Sequence, residues 1–174
     1  MSADWIAAGV AVAYLAGEVF LTLAARARWA HVGVGIRDDE SGAFTLGAVP
    51  VDFSPMQEIA HATESHLVLA LVALGPHSTV THARLLHKRM RENELLIRVD
   101  YDRFAALLLV ASRLDAVRAT VRLTEGWDDD SMTRHRIGFA SSPEDGFEFF
   151  DLLDRSSERL APLQRVRDVA QLHA

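Results

Sequence analysis

The sequence predicts an α+β domain with a mainly antiparallel sheet and helices packed against it, preceded by an N-terminal hydrophobic helix. Three observations carry that expectation. Leu67 to Leu74 is an unbroken apolar run bounded by Gly75-Pro76, of a length that suits a strand buried on both faces. Two further apolar runs, Leu95 to Val99 and Phe104 to Val110, flank the polar residues Asp100-Tyr101-Asp102-Arg103, which suit a tight reversal and hence a β-hairpin. Between and after these runs lie segments with apolar residues at helical spacing, so each strand has a helix to cover it.

Taken in order, Trp5 to Ala25 carries one charge, Glu18, in 21 residues, a stretch long enough to span a bilayer core of ~30 Å at ~1.5 Å per residue. Arg26 and Arg28 follow it, which by the positive-inside bias faces the remainder to the cytoplasm and makes the chain a single-pass inner-membrane protein. The other reading is an Ala-rich soluble helix packed on its own domain or on a partner's. Gly9, Ala13 and Gly17, at four-residue spacing, suit close approach of two such helices. Val32 to Ile36 and Phe44 to Phe53 are β-like runs around the polar cluster from Arg37 to Gly42, and suggest a small hairpin linking anchor to domain. Ser54-Pro55 reads as the cap and first turn of a helix through Met56, Ile59, Ala60 and Thr63.

After the central strand, Ser78 or Thr79 can cap a helix whose Val80, Ala83, Leu86 and Met90 form one stripe. Ser112-Arg113-Leu114-Asp115 resembles a capping box opening a helix with Leu114, Val117 and Val121 on its apolar face. Thr133 to Ala140 supplies another strand and Gly146 to Leu160 the last long helix, with Pro162 leaving a short tail. The expected organisation is therefore helix 1–28, connecting hairpin 29–54, main domain 55–161 and tail 162–174.

Composition narrows function. A formal charge of −6 with no long Lys/Arg run gives no footprint for nucleic acid. The absence of cysteine excludes disulfides, thiolate-held metals and thiol chemistry. Gly33-Val34-Gly35 lacks the third glycine of a dinucleotide fingerprint, and there is no P-loop. The pairs His61/His66, His77/His82 and His82/His87 are five residues apart, which does not align two metal ligands on a helix face. Glu58-x-x-His61 has the spacing of half a di-iron site without the other half, and Asp128-Asp129-Asp130 lacks the pattern of a calcium loop. Surface polar residues are the reading for all of these.

Two stretches together resemble a GGDEF domain, the diguanylate cyclase family. Arg91-x-x-Glu94, five residues, then Asp100-Tyr101-Asp102-Arg103-Phe104 matches the frame of the family's Arg-x-x-Asp element and Gly-Gly-Asp-Glu-Phe turn. Ile137 to Gly146, ending Pro143-Glu144-Asp145-Gly146, is similar to its late strand and Pro-Glu-Asp-Gly loop. The match covers Ser65 to Leu160 and implies the same fold.

The resemblance also implies a chemistry, which the letters contradict. The family's carboxylates hold two magnesium ions that activate GTP, and magnesium demands oxygen ligands. Val72 and Leu74 stand where the family has Asp-x-Asp. Asp102 matches the turn's third residue, but Arg103 replaces its glutamate, and Asp100 and Tyr101 replace the glycines that admit the nucleotide. The segment from Gly75 to Arg91 is shorter than the family's and lacks its base-holding residues. No catalytic residue, metal or cofactor is therefore expected, and the chain is expected not to be a cyclase.

What remains is the place of the family's inhibitory site, where Arg91 and Glu94 are candidates for binding cyclic di-GMP: a guanidinium fork suits guanine O6 and N7, and a carboxylate suits the opposite edge. The plainer reading is an i,i+3 ion pair. Arg89 and Arg98 are candidate phosphate contacts or solvated surface. The sequence thus leads to a non-catalytic module, either a cyclic di-GMP receptor or a structural domain that holds a protein partner or a second copy of itself, anchored to the membrane through residues 5–25; a residual diguanylate cyclase is the last alternative.

Overall fold

The computed structural model describes residues 37–75, 79–127 and 134–172. The hydrophobic N-terminal stretch and the first arm of the expected connecting hairpin lie outside the described residues, as does Asp128-Asp129-Asp130. Among the described residues no helix is long and apolar enough to cross a membrane.

Among the described residues, six strands form one mixed sheet: β1 (Phe44–Thr45), β2 (His66–Ala73), β3 (Leu95–Arg98), β4 (Arg103–Val110), β5 (Arg136–Ser142) and β6 (Ala161–Pro162). Their spatial order is β1-β3-β4-β2-β5-β6. All neighbours are antiparallel except β1 and β3. The expected central strand is central: β2 lies between β4, with Leu69 opposite Leu107, and β5, with Leu71 opposite Gly138. The hairpin is also present, β3 and β4 pairing Leu96 with Ala106.

Among the described residues, five helices cover the sheet: α1 (Val49–Ala62), α2 (Thr79–Arg89), α3 (Arg113–Leu123), α4 (Phe149–Glu158) and α5 (Leu163–Leu172). Alternation along β2 divides them. Val68, Ala70, Val72 and Leu74 join one apolar cluster with Ala83 and Leu86 of α2, Ala116 and Leu123 of α3, and Leu163 of α5. The odd-numbered face, Leu67, Leu69 and Leu71, is equally buried and is covered by α1 and α4. Burial on both faces explains why β2 reads as one continuous apolar run rather than an alternating one.

Several boundaries differ from the expectation, each for a local reason. Helix α1 begins at Val49, with Pro50 in its first turn, and Pro55 lies inside it. The sequence has two Pro signals five residues apart, and the helix starts at the first of them rather than at the expected second. The β-like run from Phe44 therefore keeps only two strand residues before a short 3-10 turn and the helix. The polar turn before it is as expected, Asp38 and Ala43 closing it through the backbone. In α3, Ser112 is the cap, its Oγ accepting from the Asp115 N–H, but the buried stripe is Ala116, Thr120 and Leu123, one position round from the expected Leu114, Val117 and Val121. Thr120 can be buried because its hydroxyl donates back to the Ala116 carbonyl. The late strand begins at Arg136 rather than Thr133, and α4 begins at Phe149 rather than Gly146. The expected tail is structured: Pro162, which has no N–H to give, sits in the outermost strand, and α5 follows at once.

Candidate functional site

The turn between β3 and β4 lies against the end of the central strand. Ala73 is opposite Arg103, and the Leu74 N–H donates to the Asp102 carbonyl at 2.7 Å. The turn is built from its own polar groups: the Val99 N–H donates to the Arg103 carbonyl, and the Tyr101 N–H to the Asp100 carboxylate at 2.7 Å. Tyr101 and Arg103 are exposed, Asp102 half-buried, and Phe104 is buried beneath them. Val72 and Leu74 turn their hydrocarbon into the core.

Arg98, at the end of β3, clamps this turn to the one that opens the described chain. Its guanidinium reaches Asp38 at 2.7 Å and Glu40 at 3.3 Å, and it bonds to the carbonyls of Asp100 and Tyr101. Burial pushes the Asp38 carboxyl up, but bonds from Ser41 and Arg98 outweigh it and hold the group below its usual range. Arg98 is thus already engaged by carboxylates. Arg89 is engaged too, donating to the carbonyls of Leu123 at the end of α3 and of Glu125 just beyond it.

Arg91 and Glu94 occupy the bend between α2 and β3, and they face different ways. The Arg91 side chain is exposed, while the Glu94 side chain is only 4% exposed. One Glu94 oxygen accepts from the Arg91 backbone N–H at 2.8 Å, and the other meets Arg122 of α3 at 2.5 Å. Arg122 also bonds the Arg89 carbonyl, so Glu94, Arg122 and Arg89 fasten the bend to α3. The ion partner of Glu94 is therefore Arg122 rather than the Arg91 guanidinium. Arg122 is 28 residues away along the chain, and no local spacing marks it.

The second stretch, Pro143 to Gly146, wraps an acid around the outer backbone of β5. Asp145 accepts from the Ser141 N–H at 2.9 Å and from Arg159 at 2.7 Å, while its own N–H donates to the Ser141 carbonyl. The Arg159 guanidinium, helped by the Ser141 N–H, holds the Asp145 carboxyl down to about 2. A folded-state value below the unfolded one contributes stability that is present above the ordinary carboxylate range and is lost as pH falls from about 3.8 toward 2. Because Arg159 is half-exposed, the contribution at neutral pH is discounted to about 1–2 kcal/mol. Asp145→Asn should lower the urea-unfolding free energy by that amount at pH 7 and flatten its fall between pH 4 and 2. An unchanged acid slope would show that this carboxyl does not drive it.

A histidine outside the pairs considered above is part of the core. His135 is 1% exposed and meets Trp127 and His82 edge-on, at centroid distances of 4.9 and 4.7 Å. Its Nδ1 accepts from the Gly75 N–H at 2.8 Å. Among the described residues, no group of three His, Asp or Glu is placed to hold a metal ion.

No protein-family model matches the sequence, and no curated protein matches it. Solved structures do. A sensory box/GGDEF family protein from Caulobacter crescentus superposes with a TM-score of 0.58 at 15% identity, over 78% of this chain and 99% of that one. The fold is that of a GGDEF domain. The GGDEF domain of DgcB from Caulobacter crescentus, in complex with c-di-GMP, superposes with a TM-score of 0.55 at 11% identity, over 71% of this chain and 86% of that one. The diguanylate cyclase SiaD from Pseudomonas aeruginosa, in complex with its activator SiaC, gives 0.57 at 16%, over 95% of this chain and 70% of that one. Of these neighbours, one is a GGDEF domain solved with c-di-GMP and another is a cyclase solved with its activator protein.

Proposed function

We propose that this chain is a non-catalytic GGDEF-fold module that acts by holding a protein partner in a signalling assembly. The observation that carries the reading is the chemistry where β2 meets the hairpin turn. Magnesium requires several hard oxygen ligands in near-octahedral array. This site offers the buried hydrocarbon of Val72 and Leu74, the cation Arg103, the half-buried carboxylate of Asp102, and an Asp100 carboxylate already accepting from the Tyr101 N–H, which is two carboxylates at most beside a fixed cation. Those residues do not fit the metal, and no phosphoryl-transfer step is assigned to them.

The second reading is a cyclic di-GMP receptor using Arg91 and Glu94. The exposed Arg91 guanidinium favours it. The engagement of both Glu94 oxygens, by Arg122 and by the Arg91 N–H, weighs against it, since a guanine edge would have to displace a buried ion pair. The membrane enters the same proposal through residues 5–25 as a single-pass anchor with the domain facing the cytoplasm, in which case the chain leaves membranes only with detergent.

One set of measurements separates these readings. The full chain incubated with GTP and magnesium is expected to yield no cyclic di-GMP, and any product overturns the non-catalytic reading. Titrated calorimetrically with cyclic di-GMP, it is expected to give no heat at high micromolar ligand. Heat that disappears in Arg91→Ala would instead establish the receptor.

A further inference from the structure

The start of α4 presents large aromatic surface to solvent beside an exposed acidic row. Phe147 is 69% exposed and Phe150 57% exposed, although Phe149 between them is buried and meets Phe53 of α1 edge-on. Phe150 in turn stacks edge-on against Phe149 at 5.4 Å, so an aromatic line runs from the core out to the surface. The segment is pinned at its root, where Gln57 of α1 donates to the Phe147 carbonyl.

Alongside lie Glu148, Asp151 and Asp154, all exposed and spaced three residues apart, which places them on one ridge of the helix. Glu148 and Asp151 form the reciprocal cap of α4 with each other's backbone N–H groups. Asp154 takes no part in the cap. Neighbouring acids have cations of their own: Glu144 and Asp145 face Arg113, Asp145 also Arg159, and Glu158 meets Arg155. Among the described residues, no ion pair neutralises the 148–151–154 row.

We propose that Phe147 and Phe150, with the row Glu148, Asp151 and Asp154 beside them, form the docking surface for a cationic amphipathic helix of a protein partner. Charge selects that occupant. A second copy of the chain presenting the same surface would set acid against acid, and an anionic bilayer would be repelled in the same way. A helix with an apolar stripe flanked by Lys or Arg would bury the two rings while its cations answer the acidic row. Exposed aromatics next to complementary charge are the pattern in which a few anchors carry most of the affinity.

This inference rests on the reading of a partner-holding module, and the two fail separately. Production of cyclic di-GMP would overturn the non-catalytic reading without touching this surface. The test uses the purified full chain, in zwitterionic nanodiscs if it is extracted from membranes, with empty discs as the blank. The probe is a fluorescent synthetic helix of Leu and Lys about 16 residues long, followed by anisotropy.

The expected result is saturable binding that weakens on adding salt and falls at least about tenfold in the double variant Phe147→Ser/Phe150→Ser. Asp154→Lys, which alters neither the cap nor the core, should weaken binding by about threefold or more. Equal affinity in either variant, or equal affinity for a Leu/Glu probe, overturns the proposal. Self-association of the chain abolished by the double Phe variant would assign the surface to a second copy and also overturn it. An unchanged urea midpoint in each variant confirms that folding is not the cause.

Discussion

Gly138→Ala is expected to cost about 3 kcal/mol or more, a large fraction of the 5–15 kcal/mol typical of a domain. Gly138 lies in β5 opposite Leu71, on the face covered by α4. A Cβ there would fall 1.9 Å from the Ser156 carbonyl oxygen, 2.9 Å from the Ser156 carbonyl carbon and 3.2 Å from that of Arg159. All three are backbone atoms, so no rotamer change relieves the clash. The helix must retreat by more than an ångström, stripping contacts from Phe149 and Leu152, both buried. Gly47→Ala is the control: its Cβ meets only the Thr45 hydroxyl at 3.6 Å, and its effect should stay within about 0.5 kcal/mol. Urea midpoints measure both. Equal stability of Gly138→Ala and the parent would mean that α4 does not press on β5 as described.

Arg122→Met is expected to cost about 3 kcal/mol, because it leaves the buried Glu94 carboxylate with the Arg91 N–H as its remaining donor. The lower end of the range for broken buried pairs applies, since Arg122 is itself about a quarter exposed, at 27%. Much of that loss is the stranded charge rather than the worth of the bond. The double variant Glu94→Gln/Arg122→Met should therefore recover part of the stability, and a double-mutant cycle should show a coupling of about 1–3 kcal/mol. Additive single effects would refute the pair. The cycle also bears on ligand binding: a strong coupling means that a nucleotide recruiting Glu94 would first have to break this contact.

The elements that declared themselves in the sequence are those whose cause is local. Leu67–Leu74 reads as a doubly buried strand because apolar residues on both faces need no knowledge of what covers them. The hairpin is legible because Asp100 to Arg103 interrupts two apolar runs, and the α3 cap because Ser112 and Asp115 are three apart. What escaped depends on partners far away in sequence. Arg98 meets Asp38 across 60 residues and Glu94 meets Arg122 across 28, and neither spacing carries a pattern. His135 was unreadable as core because its burial rests on Trp127 and His82 in other segments. The final helix was lost to Pro162, whose missing donor reads as a stop in one dimension but is harmless in an outermost strand.

The acid wrapped around β5 has a consequence for how this molecule meets others. Its last strand covers only Arg136 and Ile137, so the rest of that flank would be an open row of backbone donors and acceptors. Asp145 and Arg159 cap the Ser141 and Phe139 groups instead, which denies a foreign chain the ladder it would need to grow a continuous cross-β stack. Strong acid, by protonating that one lid, should turn the same flank into a nucleus for aggregation.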